Sequence, residues 1–332
     1  MHPLSRLALL IPPIRRLHDA RDQLLEERDS LALQTRPLGS SPLHHYNACF
    51  DAEAMLHRHA ARDLRPHPNR ITNFLGVLVD PKVLPAILAG REGSIEPIPI
   101  PANWHADVAE WAMALRAVEQ AQGRFIVIEL GCGWGCWMNN TGVAARRLGL
   151  AVTLIGVEGD PGHIAYAREA TAANGFDLAD VIIHHGIAAA RSGRALFPRQ
   201  TPGGADWGLE PIFDATVEQI DEAVRSGACD ALPMLSLAEI IGARERIDLL
   251  HVDIQGGEAA LIAGTLDMLT ERVAMLLIGT HSRQIEGELF ERLLSVGWIL
   301  EIERPAILSV GSAAPVVTID GVQGWRNPAL LP

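Results

Sequence analysis

The feature that most constrains this chain is a glycine-rich loop that directly follows a short apolar run, in FIVIELGCGWGCW at residues 125–137. The apolar run consists of residues that favour strands, and Glu129 stands near its end. Glycine lets a backbone approach a ligand closely, and the loop places it at Gly131, Gly133 and Gly135. In an α/β sheet such a loop lies at the carboxyl end of a strand, where ligands bind. The stretch therefore predicts a cofactor site that includes these four residues.

The composition of the loop also bears on the kind of cofactor. A carboxylate at Glu129 would accept hydrogen bonds from an amine or from hydroxyl groups, and it would repel a phosphate. The dinucleotide fingerprint requires a third glycine at the position that Cys136 holds here. The loop therefore disfavours a nicotinamide cofactor. Taken alone, it is also compatible with a tight strand-to-helix turn that binds nothing.

A second acid, Glu158, follows the next predicted strand in AVTLIGVEGDP at residues 151–161. In a βαβ unit a carboxylate at the end of the second strand lies beside the first loop and can bind both hydroxyls of a ribose. An exposed turn residue is the alternative, but the combination with the glycine loop favours ribose binding. The third predicted strand, at 180–188, contains Gly186, which we expect to line the same cofactor site.

Strand and helix patterns alternate from residue 106 onward, and this order predicts an α/β fold with a doubly wound, parallel sheet. We expect residues 106–332 to form this Rossmann-like domain, with an insertion at about 189–233 where the alternation breaks. Residues 1–105 are predicted to form a helical N-terminal extension with a cap or linker. Leucines in heptad spacing predict a helix at 14–34, which could pack on its own domain or form a homodimer contact.

The composition argues against several partners and locations. Twenty-eight basic against forty acidic residues give a net charge of −12, which disfavours nucleic acid and anionic membranes as partners. The sequence shows no apolar run long enough to span a bilayer. The four cysteines lack paired zinc spacing, and the sequence offers no cluster of carboxylates for Mg²⁺. We therefore expect a cytoplasmic protein with reduced thiols and without a metal.

Two further segments complete the pattern. IDLLHVDIQGGEAALIAG at 247–264 contains a strand that ends in Asp253, and LLIGTHS at 276–282 contains a strand that ends near His281. Together with VIELGCGWG and VEGDP, these segments resemble the FkbM family of S-adenosylmethionine-dependent methyltransferases over about residues 124–298. The glycine loop and VEGDP are similar to motifs of the wider class I superfamily. The Asp253 segment is the more specific match.

The resemblance to the FkbM family implies a fold, a cofactor and a class of substrate. It implies a mostly parallel, seven-stranded sheet with helices on both faces, and S-adenosylmethionine as the cofactor. The family is known mainly for O-methylation of sugars, polyketides and related products. The implied partner is therefore a small-molecule acceptor, such as a sugar or a secondary metabolite.

The match can be stated residue by residue. Asp253, Gly256 and Glu258 keep the family pattern in the first segment, and His281 keeps it in the second. Three positions depart from the pattern: His251 stands where lysine is usual, and Gln255 and Gly279 each replace a carboxylate. The two lost acids follow neighbouring strands, which suggests a linked change.

Methyl transfer from a sulfonium requires alignment of donor and acceptor and removal of a proton from the acceptor oxygen. His281 and Asp253 are the candidate catalytic residues, because both follow strands whose carboxyl ends should meet beside the donor. Asp253 is also expected to contact the cofactor. The alternatives are a structural cap for His281, and a metal ligand or a turn cap for Asp253.

Two other functions remain open on the sequence. A catalytically silent donor-binding or scaffold protein is suggested by the changes at Gln255 and Gly279. A nicotinamide-dependent oxidoreductase on a similar sheet is disfavoured by the glycine spacing and by the segment around Asp253. An active methyltransferase ranks ahead of both.

Overall fold

The computed structural model describes residues 41–311 and 314–332. Residues 46–332 form one compact unit, and residues 41–45 belong to a separate N-terminal unit, of which the structure describes a short helical turn at Pro42–His44. The helix predicted at 14–34, and with it the homodimer contact, lies outside the described residues. Within the described ranges, no helix is long and apolar enough to cross a membrane.

The strands of the described residues are β1 (Asn47–Ala48), β2 (Ile71–Thr72), β3 (Leu78–Val79), β4 (Arg124–Leu130), β5 (Ala151–Glu158), β6 (Val181–His185), β7 (Ile187–Ala189), β8 (Gly193–Pro198), β9 (Cys229–Ser236), β10 (Leu249–Val252), β11 (Met275–Thr280), β12 (Ile299–Arg304), β13 (Ile307–Ser309), β14 (Val316–Ile319) and β15 (Gly321–Arg326). The α-helices are α1 (Ala52–His59), α2 (Pro85–Leu88), α3 (Val108–Gln120), α4 (Cys136–Arg147), α5 (Pro161–Ala173), α6 (Val217–Ser226), α7 (Leu237–Ile241), α8 (Glu258–Arg272) and α9 (Arg283–Ser295).

A mostly parallel sheet forms the centre of the compact unit. Its eight strands lie in the order β1-β12-β15-β11-β10-β4-β5-β6, and the five strands from β11 to β6 are parallel. β15 runs antiparallel to both β11 and β12. The predicted count of seven strands is one too few, because the two residues of β1 pair with β12 at the sheet edge.

Side chains of β4 alternate between two apolar cores, as expected for a strand that is buried on both faces. Phe125 and Val127 belong to the core that includes α1, α3, α4 and α5, whereas Ile126, Ile128 and Leu130 pack with α7, α8 and α9. The α/β fold with a mostly parallel sheet and helices on both faces is therefore as predicted.

The direction of the sheet order reverses next to β4. From β4 the chain runs outward through β5 to β6, and it later returns to place β10 on the other side of β4. Ligands bind in the crevice outside the carboxyl ends of the strands at such a switch point. Gly131 follows β4 and Asp253 follows β10, so both residues lie at this point.

The predicted third strand is divided in two at Gly186. A Cβ atom on this residue would lie 2.8 Å from the carbonyl oxygen of Pro233, so the two backbone segments can approach only because a side chain is absent. β6 stays in the central sheet, whereas β7 pairs with β9 in a three-stranded sheet of order β7-β9-β8. The predicted insertion at 189–233 therefore contributes most of a small sheet with its own apolar core, in addition to α6.

Residues 46–105, which the sequence predicts as part of an extension, belong to the compact unit. Met55, Leu56 and Phe74 are almost fully buried, and they pack in the same core as α3. The boundary between the compact units consequently falls after His45 rather than after residue 105. Burial of these apolar side chains accounts for the difference, since exposing them would cost free energy.

Candidate active site

A cleft opens at the carboxyl ends of β4, β5 and β10, with a volume of about 670 Å³ that includes space open to solvent. Five of the residues predicted for the cofactor line it, namely Gly131, Gly133, Glu158, Gly186 and Asp253. The fold thus brings together residues from four separate segments of the sequence.

Gly131 follows β4 and packs against the end of β10 at the base of the cleft. Its φ angle is +74°, and a Cβ atom there would lie 1.9 Å from the carbonyl oxygen of Asp253. Any side chain would therefore push the loop away from the end of β10. The amides of Gly131 and Cys132 both donate to the carbonyl oxygen of Val157 in β5, at 3.0 Å. The loop is held between β5 and β10.

Glu158 ends β5 and is held by backbone amides. Its Oε2 accepts from the amide of Gly133 at 2.9 Å, and its Oε1 accepts from the amides of Gly159 and Asp160, each at 2.8 Å. Burial alone would raise the pKa of Glu158, but the neighbouring ring of His163 and these amides outweigh burial and lower the pKa. The side chain is therefore an ionised carboxylate, whose Oε2 retains capacity to accept from a ligand hydroxyl.

Two of the predicted cofactor residues, Glu129 and Gly135, lie behind the loop and do not line the cleft. Glu129 is 2% exposed, and its oxygens accept from the amides of Trp137 and Met138 in the first turn of α4, at 3.1 and 2.9 Å. Burial raises the pKa of Glu129 to about 8. Gly135 is the N-cap of α4, with a φ of +76°. Both residues therefore fix the start of α4 behind the site.

Asp253, His281 and Glu258 form a contiguous group beside the cleft, in which an ion pair joins His281 to Asp253 and a hydrogen bond joins His281 to Glu258. Nε2 of His281 lies 3.2 Å from Oδ1 of Asp253, and its Nδ1 lies 2.9 Å from Oε1 of Glu258. Glu258 is fully buried, and it also accepts from the amides of Ile254 and Gly256. Among these three residues, Asp253 is the one that lines the cleft. Its side chain is 41% exposed, so a ligand can reach it.

These contacts decide what His281 can do. Burial alone would lower its pKa, but the contacts with two carboxylates outweigh burial and raise the pKa of His281 to about 11. The imidazolium carries a proton on each nitrogen, so it has no free lone pair with which to act as the expected general base. Burial would raise the pKa of Asp253, but His281 outweighs it and lowers that pKa. His281 therefore holds Asp253 in its ionised form.

The same three side chains offer ligand atoms that lie within 4.8 Å of one another, a grouping that could hold a metal ion. The ring nitrogens of His281 already contact the two carboxylates. The expectation that no metal is bound stays a prediction, and treatment with a chelator tests it.

The two positions that depart from the FkbM pattern by loss of a carboxylate are neighbours of Asp253. Gln255 has a φ of +57°, which is unfavourable for a residue with a side chain, and its Nε2 donates to Oδ1 of Asp253 at 3.2 Å. A Cβ atom at Gly279 would lie 3.5 Å from Cγ of Asp253. Both changes therefore remove acidic groups from around Asp253 and leave its own carboxylate in place.

Trp207, in the insertion, lines the cleft and is absent from the residues that the sequence predicts. Its ring stacks on His163 with centroids 4.0 Å apart, and a Cβ atom at Gly133 would lie 2.5 Å from it. The stretch from 199 to 216 that carries Trp207 has no regular apolar period, so no sequence signal ties it to the glycine loop. Only the fold shows that this side chain covers Gly133.

Fold and cleft together define a doubly wound α/β protein with a cleft at its switch point. A protein from Jannaschia sp. (strain CCS1) named "Putative methyltransferase" is 45% identical over 263 residues, which are 79% of this chain and 94% of that relative. No family model matches the chain. The chain therefore belongs to the same methyltransferase family as the Jannaschia protein.

Solved structures resemble the chain more distantly. Methyltransferase FkbM from Methylobacillus flagellatus KT has 12% identity and a TM-score of 0.41, over 61% of this chain and only 44% of that one. Precorrin-6y C5,15-methyltransferase from Geobacter metallireducens GS-15 has 8% identity and a TM-score of 0.36, over 64% of this chain and 86% of that one. Similarities at this level transfer neither activities nor residue roles to this chain.

Proposed function

We propose that this methyltransferase transfers a methyl group from S-adenosylmethionine to a hydroxyl group of a small molecule, such as a sugar or another natural product, as the FkbM family does. The observation that supports the proposal most is the convergence of Gly131, Gly133, Glu158 and Asp253 on one cleft. These residues come from three of the segments that resemble the family. The methyltransferase relative implies the same donor.

The chemistry of the cleft fits this donor. Glu158 offers Oε2 to a ribose hydroxyl, and Ile187 and Ala188 provide apolar surface for an adenine ring. The carboxylates of Glu158 and Asp253 favour a positive charge between them. When bound, S-adenosylmethionine supplies a methyl group on a cationic sulfur. Gly131 and Gly133 bring the backbone of the first loop to the wall of the cleft.

Asp253 takes the proton of the acceptor hydroxyl in this proposal. His281 forms an ion pair with Oδ1 and Gln255 donates a hydrogen bond to it, which leaves Oδ2 for the acceptor. The proton of a hydroxyl becomes strongly acidic as its oxygen gains a methyl group, so a carboxylate of low pKa suffices to accept it. His281 and Glu258 are positioning residues, since they act on the acceptor only through Asp253.

Substitution of Trp207 should weaken the donor site. Trp207→Ala is expected to raise the Kd of S-adenosylhomocysteine by about fivefold or more, because truncation of a well-packed aromatic contact commonly costs ~1 kcal/mol or more. Trp207→Phe keeps a ring over Gly133 and should show a smaller change. Calorimetric titration measures both values, and an unchanged Kd in Trp207→Ala would remove this residue from the donor site.

The pH dependence of turnover distinguishes Asp253 from His281 as the base. The pKa of His281 is raised to about 11, so the residue stays protonated as the pH rises through neutrality, and the pKa of Asp253 is lowered, so this carboxylate is ionised throughout. We expect kcat to be flat between about pH 6 and pH 9. An acid limb near 6.5 that vanishes in His281→Gln would assign the base to His281 instead.

Transfer of a radiolabelled methyl group to a panel of hydroxylated small molecules tests the proposed reaction. We expect the label to appear in an ether product. Label found only on nitrogen or carbon acceptors would contradict O-methylation. Binding of S-adenosylhomocysteine without transfer to any acceptor would favour the silent donor-binding protein, for which the changes at Gln255 and Gly279 give the reason.

A further inference from the structure

A loop of the insertion, residues 200–211, forms part of the cleft wall, and we refer to it as the strap. It follows β8 and precedes α6, and it belongs to no regular element. Six of its residues line the cleft, namely Gln200, Asp206, Trp207, Gly208, Leu209 and Pro211. The strap therefore covers the space in which we place the donor.

Both ends of the strap are anchored on the small sheet. The amide of Arg199 donates to the carbonyl oxygen of Ala228 at 3.0 Å, and its Nε donates to Asp230 at 3.1 Å. At the other end, the amide of Ile212 donates to the carbonyl oxygen of Leu196 at 2.8 Å, and the amide of Leu196 donates back at 3.0 Å. A surface loop whose ends are held close together can move as a unit between them.

Between its ends, the strap meets the rest of the molecule by packing alone. Among the described residues, the hydrogen bonds of the strap stay within it. The side chain of Gln200 donates to the carbonyl oxygen of Asp206 at 2.9 Å and accepts from the amide of Asp206 at 2.6 Å. A segment with so few bonds to its surroundings opens at a lower free-energy cost than the core does.

The strap packs against both sides of the cleft. On the α5 side, a Cβ atom at Gly162 would lie 2.2 Å from the carbonyl carbon of Gly203, so the two backbones are in contact. On the β10 side, a Cβ atom at Gly208 would lie 3.5 Å from Oε1 of Gln255. The strap thus reaches from the start of α5 to the loop after β10, across the opening that a ligand must pass.

An aromatic pair holds the strap to α5. The ring of Trp207 stacks on that of His163, with centroids 4.0 Å apart and planes at 23°. His163 lies in the first turn of α5 and also lines the cleft. Such pairs stabilise a packed arrangement beyond the area that they bury. The stack is therefore the contact that favours the closed strap.

The imidazole in this stack is left without a full set of partners. His163 is 5% exposed, and its Nε2 is one of the buried side-chain atoms that lack a hydrogen-bond partner among the described residues. Its Nδ1 lies 3.9 Å from Oε1 of Glu158. Burial of an unpaired polar atom disfavours the state in which it is buried. Hydration of His163 on opening would therefore offset part of the loss of the stack.

We infer that the strap is a lid of the donor cleft, which opens to admit S-adenosylmethionine and to release S-adenosylhomocysteine, and that the stack of Trp207 on His163 holds it closed. The inference rests on the proposed function, since that function names the donor. Because binding requires the open state, the association rate scales with the fraction of molecules whose strap is open. A weaker stack should therefore speed association as well as dissociation.

Modification by diethyl pyrocarbonate tests opening in the free, full-length chain. The reagent attacks an unprotonated imidazole nitrogen, and mass spectrometry of peptides gives the rate at each histidine. His59 is the matched comparison, because it is 6% exposed and lies in α1, away from the strap. We expect His163 to react about tenfold faster than His59, because a loop opens more often than a packed core. S-adenosylhomocysteine should slow the reaction at His163 only.

Stopped-flow binding of S-adenosylhomocysteine tests the role of the stack. In Trp207→Ala we expect kon to rise by about threefold or more, because more molecules have an open strap. The value of koff should rise by a larger factor, in keeping with the higher Kd expected above. Trp207→Phe keeps a ring on His163 and should lie between the two. Val217→Ala, at an exposed position of α6 in the same insertion, should change neither rate.

The outcomes separate this inference from the proposed function. If koff rises in Trp207→Ala and kon does not, Trp207 only contacts the bound donor, and the lid assignment is wrong. Modification of His163 no faster than that of His59 would overturn it as well. Failure of the wild-type chain to bind S-adenosylhomocysteine would instead overturn the proposed function, while the modification of His163 would still report whether the strap opens.

Discussion

Replacing Asp253 by asparagine should lower turnover by about two to four orders of magnitude, the usual effect of removing a general base. The asparagine side chain would keep nearly the same shape, but it could not accept the proton of the acceptor hydroxyl. The Kd of S-adenosylhomocysteine should change far less, because the proposed donor site also includes Glu158 and the glycine loop. Single-turnover transfer of a labelled methyl group measures the rate, and calorimetry measures the donor affinity.

The control for Asp253→Asn is Asp267→Asn, an equivalent change on the exposed face of α8. Asp267→Asn should leave rate and affinity unchanged. Both proteins are assayed with and without EDTA, since a chelator would abolish turnover if Asp253, Glu258 and His281 held a metal ion. Turnover of Asp253→Asn within tenfold of the wild-type value would contradict the role of Asp253 as base.

Loss of Glu158 should have the largest effect on the donor. Glu158→Ala is expected to weaken binding of S-adenosylhomocysteine by roughly 1.5 kcal/mol or more, the range for lost hydrogen bonds to a charged group. It also leaves the amides of Gly133, Gly159 and Asp160 without their acceptor, so the free energy of unfolding should fall by about 1–3 kcal/mol. Calorimetry and denaturant unfolding measure the two effects separately.

Glu271→Ala serves as the comparison for Glu158→Ala, because Glu271 is an exposed residue of α8, 70% accessible. It should change neither the donor Kd nor, by more than about 0.5 kcal/mol, the stability. An unchanged donor affinity in Glu158→Ala, with folding preserved, would show that this carboxylate caps its own loop without binding a ribose.

The cleft could be predicted from the sequence because its main residues stand at the ends of strands. Glu158 and Asp253 each follow an apolar run of strand length, and parallel strands present their carboxyl ends at one edge of a sheet. The glycine loop after β4 adds Gly131 and Gly133, which line the same cleft. Local pattern and one topological rule are therefore enough to bring these residues together, although they are far apart in the sequence.

The partners of individual side chains could not be predicted in the same way. Glu129 accepts hydrogen bonds from two amides of α4, and both ring nitrogens of His281 contact carboxylates. These choices depend on distances of a few ångströms, which no periodicity encodes. Residues from irregular segments could not be predicted either, since Trp207 lies at the cleft only through the tertiary fold.

Titration of S-adenosylmethionine, S-adenosylhomocysteine and NAD into the wild-type chain, followed by calorimetry, tests the central claim most directly. The account predicts that S-adenosylmethionine and S-adenosylhomocysteine each bind at a single site, that Glu158→Ala weakens both, and that NAD does not bind. Binding of NAD without binding of S-adenosylmethionine would contradict it.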